Sequence, residues 1–270
     1  MKSGVARFAR EVGPGFGPFV ALLLLLLFCS NTCLADDNTS ISRAAAVVKS
    51  DFENFYLGRE NLIPLGIGLS AGAVLANTHA DREIRDWYQD DIRSNGTDDA
   101  AKIFKSYGTA YVTVPAYAVA YGAGRMTNNQ TFQTWGERSF RATVVGTPAV
   151  FFLQVAIGAE RPPGDSGWSP FHSSHGVSGH AFFGSVPFVT AAQMSDGILW
   201  KAAFYGLSTL TAWSRINDDA HYFSQAGLGW FLGYLSCTVV TKTDASRQDR
   251  TRFGFAPAPR GGAVTFQMDL

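Results

Sequence analysis

Long apolar stretches alternate with short polar islands along this chain. Six stretches stand out, Leu62 to Ala76, Tyr107 to Gly124, Ala142 to Ala159, His180 to Gln193, Ala202 to Trp213 and Phe223 to Val240, each bounded by charge or turn residues. Most are too long for strands and rich in Ala, Leu and Gly, which predicts helices. The expected fold is therefore an all-α bundle of about six apolar helices. Between the first two stretches runs "DREIRDWYQDDIRSNGTDDAAKIFK", whose charges, Asn95-Gly96 turn and Asp98-Asp99 start signal predict a solvated helix, a turn and a new helix. The tail, "TRFGFAPAPRGGAVTFQMDL", has no helical period and is broken by Pro257, Pro259 and Gly261-Gly262, which predicts a short C-terminal β-hairpin covering one face.

The first 35 residues stand apart. A basic start (Lys2, Arg7, Arg10), then "VALLLLLLF", then "SNTCLADD" is the order of a secretory signal peptide, cut before Asp36. An uncleaved anchoring helix is the alternative. Both predict an exported chain, in the periplasm or the cell-envelope membrane, with residues 36–270 forming one helical domain. Removing Lys2, Arg7, Arg10 and Glu11 leaves 19 basic and 21 acidic side chains, about −2 net, so no basic field for nucleic acid is expected. Cys237 is then the one remaining cysteine, which leaves stability to packing rather than an internal disulfide. Whether the helices cross a membrane stays open. A spanning helix needs ~20 mostly apolar residues, several stretches are shorter, and the mean hydropathy is only +0.03. The abundant Gly, Ala, Ser and Thr suit close packing in lipid and in a soluble bundle alike.

Three polar islands sit at helix ends. In "QVAIGAERPPG" the helix stops and Arg161-Pro162-Pro163 drives the chain out of it. In "VSGHAFF" Ser178 is a good N-cap and Gly179-His180 opens the next helix. In "SRINDDAHYFSQ" Arg215 ends one helix, Asn217 or Asp218 can cap the next, and His221 is expected in its first turn. If helices run up and down with short connections, these islands meet at one end of the bundle. Arg161 and Arg215 then offer forked donors to phosphate oxygens, and Ser178 with the amides of Gly179 and His180 forms a helix N-terminus, a natural anion seat. One histidine could attack phosphorus while the other protonates the departing oxygen. His172, His175 and His180 could be taken for zinc ligands, but no carboxylate or cysteine stands at the usual spacing, so no metal is expected and His175 is placed at the pocket rim.

The islands resemble the three-part signature of the type 2 phosphatidic acid phosphatase family, shared with bacterial non-specific acid phosphatases and vanadium haloperoxidases: KxxxxxxRP, PSGH and SRxxxxxHxxxD. Arg161-Pro162, Ser178-Gly179-His180 and Ser214-Arg215 with His221 carry the match. The resemblance implies an active site at one end of the bundle and hydrolysis of phosphate monoesters or pyrophosphates, lipid-linked ones included, through a phosphohistidine. His221 would be the nucleophile, His180 the general acid, and Arg161, Arg215, Ser178 and Gly179 the phosphate cradle. It implies no cofactor, vanadate binding only as a phosphate mimic, and a phosphorylated small molecule or lipid as partner, with membrane association if the helices lie in lipid. Two departures bear on the chemistry. Gln154 stands where the cradle lysine belongs and supplies no charge; Gln225 stands where an aspartate would orient His221 and stabilise its imidazolium. Asp218 or Asp219 is a candidate source of that missing charge. The competing readings are a vanadate-dependent haloperoxidase and a weakly active or non-catalytic envelope protein that binds phosphate or lipid.

Overall fold

The structure is a computed structural model that describes side chains over residues 42–247. The expected signal segment and the expected hairpin lie outside the described residues. Within them the chain is all-α, with nine helices: α1 Ser40–Tyr56, α2 Arg59–Ala76, α3 Ala80–Trp87, α4 Asn95–Ser106, α5 Ala110–Thr127, α6 Gln130–Ile157, α7 Gly179–Met194, α8 Ile198–Asn217 and α9 Phe223–Arg250. A single π-helical turn, Tyr88–Ile92, extends α3.

Each expected apolar helix is present, and several boundaries move for identifiable reasons. Helix α6 begins twelve residues before Ala142, capped by the Asn129 side chain on the Phe132 amide. Its polar first half is helical because Arg138 and Arg141 bond to buried or half-buried aspartates, an arrangement that an apolar run does not reveal. It ends at Ile157, before the prolines, where Gly158 adopts φ +66°. A Cβ there would fall 1.9 Å from the Ser169 carbonyl oxygen, so both conformation and space call for glycine. Asn95-Gly96 is not a turn but the first turn of α4, because Ser94 and Thr97 form a reciprocal capping box. The polar lead-in folds as α1, burying Asp51 and Phe55.

The core lies between α6, α7 and α9, where Val145, Val150, Phe182, Val186, Leu232 and Val240 are buried together. Close contact between α7 and α9 depends on Gly229 and Gly233, one turn apart. Cβ atoms there would sit 2.2 Å from the Ser178 carbonyl oxygen and 2.0 Å from Ser185 Oγ. Among the described residues α6 is long and apolar enough to cross a membrane, although 56% of its apolar window is buried inside the protein, as in the core helix of any globular bundle. Helices α2 and α3 pass the same test only as one broken span, bent by 70°.

Candidate active site

The islands converge as expected, at the C-terminal ends of α6 and α8 and the N-terminal ends of α7 and α9. Ser178 caps α7: its Oγ accepts the Ala181 amide at 3.3 Å, and its own N–H donates to the Gln225 carbonyl at 2.9 Å. Gln154 donates its side-chain N–H to the Val177 carbonyl at 3.0 Å. That bond braces the turn into α7, and a Cβ on Gly179 would lie 3.5 Å from the Gln154 amide nitrogen. Gln154 is thus at the edge of the α7 N-terminus, supporting it without charge.

Helix α8 ends at Asn217, and Asp218 closes it, bonding its backbone N–H to α8 carbonyls instead of opening the next helix. His221 sits in the connection two residues before α9, not in the first helical turn. It is 5% exposed, and its position follows from Gln225. The Gln225 Oε1 takes the Tyr222 amide at 3.2 Å and faces His221 Nδ1 at 2.9 Å, while its Nε2 donates to the Glu160 carbonyl at 2.7 Å. These partners decide the amide orientation, since an N–H must face the Glu160 carbonyl and an oxygen must face the Tyr222 N–H. His221 Nδ1 therefore carries the proton in the neutral ring, and the lone pair lies on Nε2.

Arg215 is nearly buried. One terminal nitrogen donates to Asp218 at 3.1 Å, while its Nε, also buried, has no hydrogen-bond partner among the described residues. The charge of Arg161 acts on both imidazoles and on Arg215. Burial, then the Arg215 and Arg161 charges, hold His180 down to about 4. Burial and then Arg161 hold His221 well below the usual histidine range, against the bond from Gln225. His175, placed at the rim, is close enough to add its charge to His221.

Neither neighbouring aspartate replaces the missing carboxylate. Asp218 bonds Arg215 and Lys105, and Asp219 is clamped by Arg85 through two bonds, at 2.6 and 2.5 Å. The charged segment from Asp81 onward is also more than a wet surface. Asp81 is wholly buried and accepts both the amide and the hydroxyl of Ser224, so that its carboxylate caps α9 from α3. Tyr88 and Gln89 bond Asn217 and the Ile216 carbonyl. Asp81, Arg85 and Tyr88-Gln89 recur at helical spacing, and that periodicity is the signal in the sequence that could have singled them out. Glu160 contributes through its backbone oxygen, which leaves no such signal, and its carboxylate bonds His172 at 3.0 Å.

Residues 115–249, half of the chain, match the family model described as the PAP2 superfamily. No curated protein and no solved structure matches the chain.

Proposed function

The chain belongs to the PAP2 superfamily, whose members suggest a phosphatase-type activity, and from that premise we propose an exported, metal-independent phosphatase that hydrolyses phosphate monoesters or pyrophosphates through a phosphohistidine. Arg215 carries the reading. A buried guanidinium N–H without an acceptor costs about 1–3 kcal/mol or more, and a phosphate oxygen held between Arg215, Arg161 and the α7 N-terminus would supply one. His221 Nε2 attacks phosphorus as the ester P–O bond breaks, and His180 donates its proton to the leaving oxygen. Water then attacks phosphorus, the P–N bond breaks, and His180 takes the proton from that water. The low affinity of His180 for its proton is offset when a phosphate anion enters beside it, since an opposite charge favours the imidazolium.

A lipid-linked substrate is supported by the surroundings. A cavity of about 810 Å³ lies between α5, α6, α7 and α8, lined by Tyr107, Phe132, Trp135, Phe188, Met194 and Phe204 among others. Its Tyr107 wall adjoins Gly108, which lies against His180. An apolar space on the same helix as His180 suits a hydrocarbon tail. Export rests on the N-terminal basic and apolar segment, and association with the envelope membrane follows from a lipid partner. Gln154, neutral and tied to Val177, weighs against the haloperoxidase reading, because the lysine it replaces is the group that family resemblance implies in polarising peroxide.

The full chain is incubated with phosphatidic acid, a polyprenyl pyrophosphate and a chromogenic phosphate monoester, beside His221→Ala. The wild type is expected to release phosphate, faster from the lipids, and to retain labelled phosphate through an alkaline quench. Equal release from both proteins would refute the assignment.

A further inference from the structure

The cradle lacks a cation at Gln154, whose donor is engaged by the Val177 carbonyl. Another ammonium approaches from a different direction. Lys105 lies in the last turn of α4, outside the residues matched to the family. Its Nζ is 3.1 Å from Asp218 Oδ2, and the same oxygen accepts from Arg215 at 3.1 Å. One carboxylate thus holds an ammonium and a guanidinium side by side, and cannot neutralise both. The end of α4 is fixed against the site. Thr211 of α8 donates its hydroxyl to the Phe104 carbonyl at 3.1 Å, and a Cβ on Gly108 would fall 2.8 Å from the His180 carbonyl oxygen. The Lys105 charge is among those acting on His180.

On the reading of this site as a phosphate seat, we propose that Lys105 is a further phosphate-binding residue, supplying from α4 the positive charge that the signature lysine supplies elsewhere in the family. Its side chain is about half exposed, at 49%. The ammonium can therefore turn from Asp218 to a phosphate oxygen without unpacking the core, and Asp218 keeps Arg215 in place. Lys102, one turn earlier and paired with Asp99 in solvent, shows what an ordinary surface lysine of this helix looks like.

Calorimetric titration with inorganic phosphate, alongside KM for the chromogenic monoester, tests this. Lys105→Met is expected to weaken phosphate binding and raise KM by about tenfold, the worth of one charge-assisted hydrogen bond. Lys105→Arg keeps affinity within about threefold, Lys102→Met leaves it unchanged, and Gln154→Lys added to Lys105→Met recovers it. Unchanged phosphate affinity in Lys105→Met, with the wild type binding, overturns the role of Lys105 alone. A wild type that neither binds nor releases phosphate overturns the phosphatase reading and this proposal with it. A loss in Lys105→Met that Gln154→Lys fails to recover, accompanied by an equal loss in Lys105→Arg, assigns Lys105 to the packing of α4 and also overturns it.

Discussion

At the scale of single residues, Gln225 does most of what an aspartate would do. It fixes the tautomer of His221, receives the Tyr222 amide and ties the loop to Glu160. What it lacks is charge to stabilise the imidazolium. In a serine protease triad, loss of charge together with the wrong tautomer costs about 10⁴ in rate; here the tautomer is right, so the deficit should be smaller. Gln225→Asp is expected to raise kcat about tenfold, and Gln225→Leu to lower it by about 100-fold or more, both read from steady-state kinetics. A kcat that is the same in Gln225→Asp would mean that no charge is missing. The sequence made Gln154, Gln225 and both histidines legible as candidates for a common site because they stand in spaced motifs. It could not disclose the bonds of Gln225, since two of its partners are backbone groups that any residue types could provide.

At the scale of elements, α3 clamps the loop that carries His221. Asp81 and Arg85, a helical turn apart, hold Ser224 and Asp219 on either side of it. Asp219 has φ +54°, a conformation that non-glycine residues adopt at a cost unless their surroundings hold them there. Arg85→Met is expected to lower kcat about tenfold with KM little changed. Asp219→Asn, which keeps a residue tolerant of that φ, should do the same, and Arg85→Lys should recover part of the loss. A parallel rise in KM would point to a damaged cradle instead of a displaced nucleophile. Asp81 and Arg85 read as solvated because their partners stand more than 130 residues later in the chain, beyond any local pattern.

At the scale of the whole molecule, the bundle has two polar ends with an apolar middle. Opposite the site, Arg141 bonds Asp51 at 2.8 and 2.9 Å and Asp244 at 2.7 Å, joining α1, α6 and α9. Thirteen residues of α6 separate Arg141 from Gln154, about 20 Å at the helical rise. Asp51 is wholly buried, and burial pushes its carboxyl above the usual range despite Arg141. Arg141→Met should therefore destabilise the fold by roughly 3–5 kcal/mol, the cost of stranding a buried partner, seen as a lower denaturation midpoint. Activity of the folded fraction should be unaffected. The apolar runs exposed the middle of the bundle in the sequence; its charged end, with α1 and the first half of α6, was hidden because paired charges look the same as wet ones.

The cavity and the proposed phosphate seat share α7. Phe188 and Met194 stand eight and fourteen residues beyond His180, about 12 and 21 Å along the axis, and both line the cavity. In a lipid phosphatase of this build the helix is a ruler. It would sort substrates by reach, favouring chains long enough to fill the far end while the headgroup stays under His180, and passing over short esters that the seat alone would accept.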